Sequence, residues 1–135
     1  LFCDDIRFEQ GGKISLMGIY GGEMIVESFP AVLPKLCMAA FMTSDIENQF
    51  SSLVMEIVVN DNIIQKSELP VNDLRHSYEL VSSRGAEDDP IKTISVGFQN
   101  IISPVAFEKE SKVTVRFIAD GVEYIAGKLR VKCMQ

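Results

Sequence analysis

Residues 112–117 and 128–133 alternate strictly between polar and apolar side chains. Val113, Val115 and Phe117 interleave with Lys112, Thr114 and Arg116; Leu129, Val131 and Cys133 interleave with Lys128, Arg130 and Lys132. Successive residues of a strand point to opposite faces, so this period marks strands with one dry and one wet side. Asp120-Gly121 separates the two runs and suits a two-residue hairpin turn. Residues 122–126 carry the chain back, and Gly127 permits a bend or bulge. Such a hairpin must lay its dry face on a second layer.

The same grammar runs through the rest of the chain. Residues 1–8 read as a strand, Gln10-Gly11-Gly12 as a turn and residues 13–19 as the return. Residues 24–26 allow a short strand. Pro30 and Pro34 favour extended or polyproline geometry and forbid a regular helix between them. Residues 36–43 are apolar on both parities, as in a strand covered on both sides. Residues 44–50 resemble a loop. Residues 52–60 form a strong strand, with Leu53, Met55, Ile57 and Val59 on one face and Ser52, Glu56 and Asn60 on the other. Asn60-Asp61-Asn62 suits a turn, because Asn and Asp tolerate positive φ. Residues 63–69 return, and Pro70 stops them. Residues 72–81 fit a helical turn or a strand, and a strand over residues 77–81 is the expectation. Residues 82–90 have no apolar anchor beyond Ala86 and are expected to be a mobile loop. Residues 91–100 alternate again.

The predicted fold is therefore all-β: a two-sheet antiparallel β-sandwich of about eight strands, a single domain over residues 1–135. A chain of 135 residues can bury such a core unaided. Each buried Val, Leu or Phe contributes roughly 1.5–3 kcal/mol. With eight Phe and no Trp, the core relies on Phe and aliphatic side chains.

A net charge of −6 argues against broad nucleic-acid binding, where cations neutralising phosphates supply most of the affinity. The three cysteines, Cys3, Cys37 and Cys133, are dispersed and odd in number. They read as small core hydrophobes in a reducing compartment, which makes a cytoplasmic protein the expectation. No stretch of the sequence is long and apolar enough to span a bilayer as a helix.

Catalytic and metal chemistry find little to work with. The sole histidine, His76, adjoins Ser77, and neighbouring strand residues would point apart. It reads as structural. Dispersed Cys and one His do not make a zinc site, and no cofactor is expected. Calcium needs about six to eight oxygens. Asp45 with Glu47, Asp61, the Glu87-Asp88-Asp89 run and Asp120 are the candidate ligands. The plainer reading is that they are acidic turn and loop residues. Asp4-Asp5 requires one carboxylate to face inward or the strand to lie at an edge. Arg7 is the expected partner of Asp5. Gly11-Gly12 and Gly18 through Gly22 are flanked by strands, so they read as turns rather than a phosphate loop. Lys112, Arg116, Lys128, Arg130 and Lys132 form a basic stripe on the wet face of the last strands. It could bind an acidic protein, a nucleotide or nucleic acid, or could simply be a solvated face. The apolar stretch around residues 29–41 either exposes a patch or crosses the core.

Phe2-Cys3-Asp4-Asp5-Ile6-Arg7, Gly12-Lys13-Ile14-Ser15-Leu16, Gly18-Ile19-Tyr20-Gly21, Phe29-Pro30 and Leu33-Pro34-Lys35-Leu36 together resemble a family of small uncharacterised bacterial proteins, classed as a domain of unknown function. The resemblance implies a bacterial or phage-associated setting and carries no catalytic residue. The closing pattern of Phe107, residues 113–117, Asp120-Gly121 and the last strand looks like a C2 or immunoglobulin-like sandwich; such likeness does not fix function. The functional expectation is a non-enzymatic binding module with an unknown protein partner or a homo-oligomer. The alternatives are a structural subunit of a larger assembly and a calcium-dependent binding domain.

Overall fold

Strands β10 (Ser111–Ala119) and β11 (Val122–Cys133) form the predicted hairpin, with Asp120 and Gly121 both at positive φ in the turn. The structure, a computed structural model, describes residues 1–134; Gln135, the last residue of the expected domain, lies outside them. The remaining elements are β1 (Phe2–Phe8), β2 (Ile14–Ile19), β3 (Glu23–Val26), β4 (Ala31–Leu33), β5 (Leu36–Asp45), β6 (Leu53–Val59), β7 (Asn62–Leu69), α1 (Val71–Ser82), β8 (Thr93–Ile102) and β9 (Val105–Phe107).

Two main sheets pack face to face. One is four-stranded, in the order β2-β1-β5-β8, and the other five-stranded, in the order β3-β11-β10-β6-β7. Their inner faces share one core. Val113, Val115, Phe117, Leu129 and Val131 join Leu53, Met55 and Ile57 from one side, while Phe2, Met38, Ala40 and Ile94 enter from the other. Phe98 and Phe117 meet across the layers with ring centroids 5.5 Å apart. The period-two pattern thus specifies an all-β sandwich.

Three features differ from the expectation. Residues 71–82 are helical, not a strand at 77–81. Pro70 ends β7 and sits at the helix N-cap, where its missing N–H costs nothing. Leu74 and Tyr78, four apart, are buried on one face of α1, and Val81 packs beside them. The strand count rises above eight because β4 and β9, three residues each, pair with one another in a small third sheet. The stretch around Pro30 and Pro34 thereby crosses the core edge, with Phe29 and Leu33 packed against the interior. Finally, β3 pairs parallel with the end of β11, Glu23 opposite Arg130 and Ile25 opposite Lys132, in an otherwise antiparallel molecule.

Local chemistry explains the joints. Asn60, at φ 55°, ends β6; its side-chain oxygen accepts from Lys112 N at 3.1 Å and its own N–H donates to Lys112 O. Asp120 does the mirror job at the other end. Its carboxylate accepts from Ser51 N at 3.0 Å and Ser52 N at 2.9 Å. Gly18 lies inside β2, not in a turn. Its φ is 67°, and a Cβ there would run into the Asp4 carboxylate.

Candidate functional site: a cationic sheet face

Burial of Val113, Val115 and Phe117 turns Lys112, Thr114 and Arg116 to the outer face of β10; burial of Leu129 and Val131 does the same for Lys128, Arg130 and Lys132 on β11. Cross-strand register then decides which cations meet. Lys112 lies directly opposite Arg130, and Thr114 directly opposite Lys128. Side chains opposed in this way stand about 4.5–5.5 Å apart at Cβ, and like charges there are destabilising.

The expected stripe of five divides into two kinds of residue. Arg116 is neutralised in part: Nε lies 3.5 Å from Oε1 of Glu56, directly opposite on β6. Lys132 Nζ donates to Glu23 Oε1 at 2.6 Å, and this contact, with the Arg130 charge behind it, holds the Glu23 carboxyl below its ordinary range. Lys112, Lys128 and Arg130 are exposed and make no ion pair among the described residues. A shallow hollow lies beside them, lined by Lys112, Arg130 and Lys132 with Asn60, Glu110 and Ser111. Such a surface offers three free cationic heads and nearby hydroxyl and amide groups to an anionic ligand. Sequence reasoning missed Glu56 and Glu23 as the groups that remove Arg116 and Lys132 from the free set. An acid inside the apolar run of β6 was the available signal, because it demands a partner.

The acidic candidates are scattered. Asp45 and Glu47 share a depression with Pro90, Ile91 and Lys92 at one end of β5. Asp61 is in the β6–β7 turn, and Glu87, Asp88 and Asp89 are in the exposed segment after α1, where Ala86 and Asp89 exchange backbone hydrogen bonds. Asp120 is occupied by the Ser51 and Ser52 amides. Among the described residues, no three His, Cys, Asp or Glu side chains come together as a metal-binding group.

Asp4 is exposed and accepts from the Tyr20 hydroxyl. Burial of the Tyr20 ring, with that acceptor beside it, pushes the phenol up to about 12. Asp5 pairs with Lys35 at 2.6 Å rather than with Arg7. Lys35 comes two residues before Cys37, which is directly opposite Cys3, so it reaches the carboxylate two residues after Cys3. That contact lowers the Asp5 carboxyl and raises the Lys35 ammonium. His76 is exposed on α1, where Ser77 Oγ donates instead to Asp73 O at 2.9 Å. Cys3 and Cys37, far apart in sequence, are fully buried neighbours on adjacent strands; burial raises both thiols, and both are free.

Comparison with known proteins adds a family but no activity. A model of a family of unknown function, DUF6941, matches residues 1–132. The chain belongs to that family. The match runs from β1 to all but the last residue of β11. No curated protein matches the chain.

Proposed function

We propose that this DUF6941 domain is a non-enzymatic binding module that takes an acidic protein segment on the outer face of its five-stranded sheet. The observation that carries this reading is the direct opposition of Lys112 and Arg130, with Lys128 beside them, all exposed and without an ion pair among the described residues. Like charges held directly opposite on neighbouring strands repel, so Lys112 and Arg130 weaken the face on which they stand. An anionic ligand converts that repulsion into attraction. A row of carboxylates along an extended peptide fits better than a duplex, because the overall negative charge repels a polyanion of large extent. The setting is a bacterial or phage-associated cytoplasm. Support for it comes from the N-terminal resemblance and from two opposed cysteines that remain thiols.

Fluorescence anisotropy with a labelled polyglutamate peptide tests the reading. Binding should weaken steeply with added salt, and Lys112→Glu with Arg130→Glu should reduce affinity by about tenfold or more. Equal binding by the wild type and this double variant would overturn it.

A further inference from the structure

The outer edge of β11 is half covered. β3 pairs only with Arg130–Cys133, so Val122 through Lys128 present their outward backbone groups to no strand among the described residues. Exposed strand edges in native proteins are normally blunted by charged side chains, proline, bulges or a very short strand. Val122 through Ala126 hold one charge, Glu123, and one bulge, where Arg116 faces Ile125, Val115 faces Gly127 and Ala126 is the extra residue. Their apolar side chains are nonetheless open, with Val122 54%, Tyr124 43% and Ile125 51% exposed.

The charges on this edge are self-complementary. Arg116 and Thr114 point outward, so Ile125, opposite Arg116, and Lys128, opposite Thr114, share that face; so does Glu123, opposite Ile118. Glu123 and Lys128 lie on either side of Ile125 and Ala126, and neither makes an ion pair within the chain among the described residues. With Ala126 bulged out of the count, antiparallel pairing with an identical strand about a two-fold axis at Ile125 sets the two Ile125 side chains against each other and brings Glu123 of each copy level with Lys128 of the other. Parallel, in-register pairing of two copies would instead set like charges side by side.

We infer that the free edge of β11 is the contact between two copies of this chain, joined antiparallel through Val122–Lys128 into one continuous sheet. A two-fold axis perpendicular to a sheet keeps both outer faces on the same side. In the dimer Lys128 is taken up by Glu123 of the other copy, and the Lys112 and Arg130 side chains of both copies share one surface, so two acidic segments, or one repeated one, would gain by avidity. The dimer does not depend on the acidic-ligand reading, because it is measured without any ligand.

Sedimentation equilibrium over a wide concentration range, on the wild type and three variants, tests it. The wild type should be a dimer. Glu123→Lys alone and Lys128→Glu alone should each weaken association by about tenfold or more, since two pairs turn repulsive per dimer. The combined swap, Glu123→Lys with Lys128→Glu, should restore it. Both side chains are exposed, so the variants keep the fold, and circular dichroism checks this. A monomeric wild type overturns the inference. So does a dimer indifferent to Glu123→Lys, or a swap that fails to restore association.

Discussion

Glu56 and Arg116 lie directly opposite on β6 and β10, and the carboxylate is buried on the nominally wet face, 3% exposed. Lys66 flanks Glu56 on its other side, across β7. The pair is long, 3.5 Å, and Arg116 Nε has no hydrogen-bond partner. Removing one member strands a buried charge, whereas removing both strands nothing. Arg116→Met should therefore destabilise the domain by about 3 kcal/mol in urea denaturation, and Glu56→Met with Arg116→Met should recover most of that loss. Additive losses in the double variant would show that the two do not act as a pair.

Tyr20 links stability to alkaline pH. Its folded pKa of about 12 stands above the ordinary value of 10.0. The unfolded chain therefore releases this proton first, and the stabilisation is intact below pH 10 and lost as pH rises toward 12. Absorbance titration should show a late tyrosine ionisation step, and Tyr20→Phe should remove it. An unchanged titration in the variant would contradict the assignment.

Asp120 acts as a clamp. Replacing it with Ala removes the acceptor for the Ser51 and Ser52 amides and puts a Cβ without a polar group at φ 49°. A loss of about 1–3 kcal/mol should follow. The melting temperature of the wild type should not respond to calcium or chelator, and a rise with calcium would return Asp120 to the ligand candidates.

The cysteines should differ in reactivity. Cys3 and Cys37 are fully buried with raised thiol pKa values, while Cys133 is half-buried at the end of β11. A thiol reagent on the folded protein should modify Cys133 first, and the other two only after denaturant. Prompt labelling of Cys37 would show that β1 does not cover it as described.

Helix α1 tests the core. Leu74 is buried against the sandwich, and Leu74→Ala should cost about 2–5 kcal/mol, measured by denaturation. A cost under about 1 kcal/mol would mean that α1 is not docked.

How far the sequence could be read depended on distance along the chain. The β10–β11 hairpin was plain because its alternation and its Asp-Gly turn are local and agree. The β6–β7 hairpin was equally plain at Asn60. By contrast, β4 and β9 meet across the whole middle of the chain, and the prolines beside β4 hide three extended residues. Leu74, Tyr78 and Val81 fit the period of helix α1, yet the five residues before Ser82 also tolerate a strand, so the local pattern alone does not separate the two. Of the candidate site, the five cations were visible as a stripe, but which of them stay free was not. That depends on Glu56 and Glu23, which only the pairing of β6 and β3 brings alongside. The opposition of Cys3 and Cys37 was hidden for the same reason.

Chemical-shift mapping with an unlabelled polyglutamate peptide on isotope-labelled protein tests the binding face most directly. The account predicts shifts concentrated at the amides of Lys112, Thr114, Lys128 and Arg130, vanishing at high salt. Shifts confined to α1, the acidic segment after it or the four-stranded sheet would contradict it, as would no shift at all.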